Sequence, residues 1–299
     1  MYLRAAWPHD GLPSVYGTQD MKAVGSLRDS VSSHANVFIK AIIGKLDGTT
    51  ILRAQVVPDD TTLLIQWGSK LTTALRSAIA AKIPFVIIDL GYFDASRMRR
   101  FSVSINGLHG LSMPVAGIDR LPPRWHPEIK DWQEGGEFVV VYGQLASDAA
   151  VRGINIETWM HKTAQECIAM IGKPVRKRVH PMMLNNWEPL PTPLDQTFEE
   201  TFLAVTWTSG VAVQTVLAGV PTVTCHPASP AWDVTAHTLH LHTGEIVGRE
   251  AWAHDLSYRE YAFYNDKDLD SAAEYIIRAY PQATKEAAKG NVDSAGRRL

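Results

Sequence analysis

The feature that most constrains this chain is a repeated alternation of apolar, β-branched runs with segments of helical period. "NVFIKAII" (36–43), "TLLIQWG" (62–68) and "PFVIIDLG" (84–91) each read as buried strands. Short continuous apolar runs bounded by turn residues suit strands covered on both faces. Between the last two lies "SKLTTALRSAIAAKI", where Leu71, Leu75 and Ile79 share one helical face, giving the strand–helix–strand grammar of a βαβ unit. The pattern returns with "EFVVVYG" (137–143) as strand, "SDAAVRGINIETWMHKTAQECIAMIG" as helix ending at Gly172, and "KPVRKRVH" (173–180) as strand. "TFLAVTWT" (201–208), "SGVAVQTVLAG" and "PTVTCH" repeat it once more. Such alternation predicts an α/β protein whose parallel sheets are covered by helices on both faces.

A chain of 299 residues has room for two ordinary domains. The stretch from Gly110 to Gly136, rich in Pro, Gly, Trp and charge, predicts a boundary near residue 134. The expected units are 1–134, 135–280 and a polar tail over 281–299. "PMMLNNWEPLPTPLD" (181–195) carries four prolines and reads as loop, while "DLDSAAEYIIRAY" reads as a helix capped by Asp268 or Asp270. Lys plus Arg (29) nearly balances Asp plus Glu (31), which argues against a chain that coats nucleic acid nonspecifically. Cys167 and Cys225 are too few for a disulfide framework and lack metal-ligand spacing. No apolar run reaches the roughly 20 residues of a membrane helix, and the N-terminal sequence lacks the apolar core of a signal peptide. The expected location is the cytoplasm.

Ligands of open parallel sheets sit beyond the carboxyl ends of the strands. Three such places stand out. At Thr206, Thr208, Ser209 and Gly210, hydroxyls and free amides at a helix start can hold an anion; the structural alternative is an ordinary serine cap. At "YGQLASDAAV", Gly143, Gln144 and Ser147 repeat that logic without a GxGxxG or Walker sequence. In "RKRVHP", Arg176, Arg178 and His180 share one face of a strand; a diphosphate is one partner for them, and an exposed edge strand is the alternative.

Taken in order, "VYGQLASDAAV", "RKRVHP", "TWTSGVAVQTVLAGVPTV" and "SPAWDV…GREAWAHDLSYREY" resemble the nucleotide-sugar-binding half of GT-B-type glycosyltransferases. The likeness is to bacterial capsule-polysaccharide and phage-borne transferase-like proteins. It covers about residues 137–264, and more loosely 62–110. It implies two Rossmann-like domains facing across a cleft, an acceptor side in 1–134 and a donor side in 135–280. It implies a nucleotide-sugar as co-substrate, with no separate cofactor. Gly143, Gln144, Arg178, His180, Thr208, Ser209, Gly210 and Gln214 are then donor-binding candidates. Gln214 stands near where many such proteins carry a ribose-holding Glu, and an amide cannot serve as a charged anchor. Fixed amide dipoles and cations can stabilise the leaving nucleotide without metal. The sequence offers no DxD, and Asp59–Asp60 in "PDD" is a poor metal site.

An inverting transferase needs a base, and the first half offers Asp20, His34, Asp89, Asp94 and His109. Asp20, in a Gly-rich polar segment, and His109, in "INGLHG", rank first. Arg97, Arg99 and Arg100 form a basic cluster that can bind an anionic acceptor, whether a phosphorylated glycan or nucleic acid carrying a hydroxymethylated base. A flipped base would stack on aromatics such as Trp125 or Trp132, which serve equally for packing. Two further readings fit the same residues: a nucleotide-dependent alditol-phosphate transferase, and a non-catalytic nucleotide-binding relic.

Overall fold

The computed structural model describes residues 20–29, 33–93, 100–113, 127–146, 148, 151, 153–180, 194–241, 248–262 and 265–290. They form a six-stranded and a four-stranded sheet. The first runs β10(Glu260–Ala262), β5(Arg100–Ile105), β4(Phe85–Leu90), β3(Leu63–Trp67), β1(Ala23–Leu27), β2(Thr49–Leu52). The second runs β7(Val175–Arg178), β6(Phe138–Tyr142), β8(Thr201–Thr206), β9(Thr222–Thr224) and is wholly parallel.

In the first sheet β1 to β4 are parallel, as expected, but β5 runs antiparallel to β4 and β10 antiparallel to β5. The nine residues between β4 and β5 are too few for the crossover that a parallel pair needs. A second correction concerns "NVFIKAII", which lies within helix α1(His34–Lys45). Ala35, Phe38, Ile39, Ile42 and Ile43 are buried at helical spacing, a period that a short apolar run conceals. Helix α1 packs tightly on β1. A Cβ on Gly25 would lie 2.7 Å from Ile39 and 2.6 Å from Ile43, so only glycine lets the helix so close.

Helix α2(Thr73–Ala80) covers the opposite face, capped by Thr72 Oγ1, which accepts from the Leu75 amide. In the second sheet α3(Ile156–Ile171) ends at Gly172 in the left-handed region (φ 73°), where the sequence placed its end. Its start lies at Asn155, later than the sequence suggested, because Gly153 (φ 82°) interrupts the chain before it. Helices α4(Val211–Leu217) and α5(Arg249–Tyr258) complete the second half.

The chain then returns to the first sheet. β10 pairs with β5, and α6(Asp266–Ala288) lays Leu269, Ala272, Ile276, Ala279 and Ala283 into the core with Phe38, Val86 and Phe101. Asn265, rather than Asp268 or Asp270, caps α6; Asp268 instead accepts the Ala262 amide at 2.6 Å. The helix also runs past Pro281 into the expected tail. Ala283 and Ala287 are buried there, and Asn106 donates to the Ala283 carbonyl at 2.8 Å. β10 and α6, C-terminal in sequence, thus belong with the first sheet and its core. Among the described residues no helix is long and apolar enough to cross a membrane.

Candidate functional site

Each sheet has one point where successive crossovers diverge, and crevices at such points hold ligands in open α/β sheets. In the second sheet β6 leads through α3 outward to β7, while β8 flanks β6 on the other side, so the switch point lies between β6 and β8. Gln144 and Thr208 meet there and are both buried. Gln144 Oε1 accepts the Thr208 amide (2.7 Å), and its Nε2 donates to Thr208 Oγ1 (2.9 Å) and Asp148 Oδ2 (3.3 Å). This latch ties the two strand ends together and uses the Thr208 groups expected to meet a phosphate.

The turn that follows is more open. Among the described residues, the Ser209 and Gly210 amides donate no hydrogen bond. Ser209 Oγ accepts the Val211 amide at 3.4 Å, the capping role weighed from sequence. A Cβ on Gly210 would meet only Tyr92, at 3.7 Å, so a ligand can approach this backbone. Gly143 has another purpose: its Cβ would lie 2.6 Å from Met160 Sδ, so glycine lets α3 close onto β6. Gln214 is half-buried on α4.

Arg178 and His180 lie at the carboxyl end of β7 and are half-buried. Arg176 does not join them. It is exposed, pairs with Glu200 (2.7 Å) and lies over the Phe138 ring (3.3 Å), as suits an edge strand. Beside the turn, Trp207 meets Trp159 edge-on (5.8 Å) and His226 at a tilt (5.3 Å), and its buried Nε1 has no hydrogen-bond partner among the described residues.

The first sheet presents Asp89 at the carboxyl end of β4. Burial, opposed by the Leu90 amide and reinforced by the charge of Asp148, pushes its carboxyl up to about 6. Asp148 belongs to the second half, so carboxylates from the two halves sense one another. Neither base candidate ranked first shares this position. Asp20 is exposed, and its carbonyl accepts from Thr62 Oγ1 (3.3 Å) before β3 begins, at the amino end of the parallel strands. His109 packs edge-on to Tyr92 (4.8 Å), and burial lowers its imidazole to about 3, which keeps it neutral.

Arg100 is not an exposed cation: it lies 4.0 Å from the fully buried Glu260. Glu260 Oε2 also accepts the Tyr92 (2.8 Å) and Phe93 (3.3 Å) amides, fixing the loop after Asp89. Trp132 packs under the Arg249 guanidinium (3.8 Å). Arg97, Arg99, Asp94, Trp125 and Ser147 lie outside the described residues. Among the described residues, no three His, Cys, Asp or Glu side chains are grouped to hold a metal ion.

A solved structure of KpsC from Thermosulfurimonas dismutans, a β-Kdo 2,4 transferase, aligns with 85% of this chain and 98% of its own, at TM-score 0.52 and 10% identity. In fold, the chain is similar to a glycosyltransferase. The β-Kdo 2,7 transferase structure of KpsC from the same organism aligns with 81% of this chain and 92% of its own, at TM-score 0.48 and 11% identity. No protein-family model and no curated protein matches the sequence. The likeness in fold to a glycosyltransferase agrees with the resemblance carried by the sequence motifs. Asp148, His226 and Glu260 were not among the sequence candidates, because only the fold sets Asp148 beside Gln144, His226 beside Trp207 and Glu260 beside Arg100.

Proposed function

We propose that this protein is a glycosyltransferase that moves a sugar from a nucleotide-sugar donor to a glycan hydroxyl. Its two sheets face one another across a substrate cleft. The observation that supports this most is Asp89, a carboxyl of raised pKa on the first sheet that senses Asp148 beside the second sheet's switch point. A carboxylate titrating near 6 is mostly ionised at neutral pH, yet is a stronger base than an ordinary aspartate.

In this reading the nucleotide phosphates lie against the Ser209 hydroxyl and the Ser209 and Gly210 amides, with Arg178 and His180 as the charged wall. Asp89 takes the proton of the acceptor hydroxyl as its oxygen bonds to the anomeric carbon. The bond from that carbon to the phosphate oxygen breaks, and the nucleotide leaves with the electron pair. Fixed amides and cations stabilise the charge that grows there, so turnover in EDTA is expected. The similar fold belongs to a Kdo transferase, which makes an acidic sugar of that kind one donor to assay. A DNA-base acceptor has less support, since Arg100 of the expected basic cluster is committed to Glu260.

The first experiment is a thermal-shift panel of UDP, GDP, CDP, CMP, ADP and dTDP. A nucleotide at a hundred times its Kd adds about 2.7 kcal/mol of stability, easily seen as a shift. One nucleotide should stand out and lose affinity in Ser209→Ala. No shift from any of them would remove the donor site.

A further inference from the structure

The first sheet has its own switch point, between β1 and β3: β1 leads through α1 to β2 on one side, and β3 flanks β1 on the other. Its carboxyl edge carries two arginines on adjacent strands. Leu27 and Leu52 are register partners, so Arg28 and Arg53 follow side by side. Both backbones are pinned. Asn36, itself buried, accepts the Arg28 amide (2.7 Å) and donates to its carbonyl (2.8 Å). The Arg53 amide donates to the Leu27 carbonyl (2.9 Å), and its carbonyl accepts from Ala74 (3.2 Å).

The side chains are placed for a ligand. Arg53 reaches across the switch point to give one guanidinium N–H to the Trp67 carbonyl at the end of β3, while its buried Nε has no hydrogen-bond partner among the described residues. The Arg28 guanidinium is exposed and makes no hydrogen bond among the described residues. Burial and the charge of Arg28 lower Arg53 to about 10, with Asp29 opposing. The field of Arg28 also reaches Asp89. Two like charges are held together at the crevice, next to the proposed base, and an anion relieves their repulsion while completing the free N–H groups.

We infer that Arg28 and Arg53 form an anion subsite for the acceptor, which is a glycan bearing a phosphate ester or a carboxylate close to the hydroxyl that reacts. The inference rests on the glycosyltransferase reading for the word acceptor, but the subsite itself is tested without turnover. The guanidinium fork suits either group, since both present paired oxygens.

The test is a ¹⁵N NMR titration of arginine Nε–H signals with inorganic phosphate, with acetate and with chloride, each signal assigned from Arg28→Lys and Arg53→Lys. The expected result is a saturable shift of both signals with phosphate, acetate or both, and none with chloride. A phosphate-only response names a phosphorylated acceptor; an acetate-only response names an acidic sugar. Arg28→Gln should weaken the Arg53 response about tenfold, the loss of one charge-assisted contact. No saturable shift with either anion, or an Arg53 response unchanged in Arg28→Gln, would overturn the subsite. The indole Nε1–H of Trp207 reads nucleotide binding in the same spectra, so failure of the donor site and failure of the anion site are seen separately.

Discussion

Replacing Asp89 with Asn should stabilise the protein at neutral pH. The carboxyl moves from an ordinary 3.8 to about 6 on folding, because burial and Asp148 disfavour its charged form. A raised acid favours the fold while protonated, so this side chain imposes no penalty well below pH 4. The penalty grows as pH rises and is complete above the folded value. The gap is worth about 3 kcal/mol at pH 8 and about 1 kcal/mol at pH 4.5. Asp89 is partly open to solvent, so these are upper bounds. Asn keeps an oxygen for the Leu90 amide, which Asp89 now accepts at 2.8 Å, so the substitution removes little but charge. Urea unfolding of both proteins at the two pH values measures the difference. The Asp89→Asn variant should be more stable than the wild type, by more at pH 8 than at pH 4.5. A variant equally or less stable at pH 8 would refute the claim that the carboxylate is held against its solvation.

Glu260→Ala should destabilise by roughly 3–5 kcal/mol, since it leaves the half-buried Arg100 without its carboxylate and the Tyr92 and Phe93 amides without their acceptor; denaturant titration checks this. Gly110→Ala should cost on the order of 1–3 kcal/mol, because its Cβ would meet the Ser229 and Pro227 carbonyls at 2.3 and 2.4 Å, where no side chain can yield; the melting temperature reads it. Ser209→Ala should weaken nucleotide binding several-fold by calorimetry and leave the melting temperature within a few degrees.

Much of this fold was legible because strands buried on both faces must be apolar throughout: β3, β4, β6, β8 and β9 all lie where such runs occur. Helix α1 shows the limit, since a run of eight residues with six apolar positions satisfies either period. β5 was hidden because Ser102 and Ser104 alternate with core residues, and β10 because three residues carry no pattern. Gly143, Gln144, Arg178, His180, Thr208, Ser209 and Gly210 lie at the carboxyl ends of β6, β7 and β8, because strand ends that feed helices are marked by Gly, Ser and Thr. The first-sheet residues did not. Which end of a strand a polar residue occupies depends on topology, and that placed Asp20 at the amino end and Asp89 within reach of the Asp148 charge.

The most direct test of the central claim is release of nucleotide from a panel of nucleotide-sugars with glycan acceptors, by wild type and by Asp89→Asn. We expect the wild type to turn over one donor class. Asp89→Asn should be at least about a hundredfold slower in kcat, the scale of a lost general base, with nucleotide affinity unchanged. Equal rates in the two proteins would contradict the assignment of Asp89. Nucleotide binding with no turnover of any donor would contradict the transferase itself.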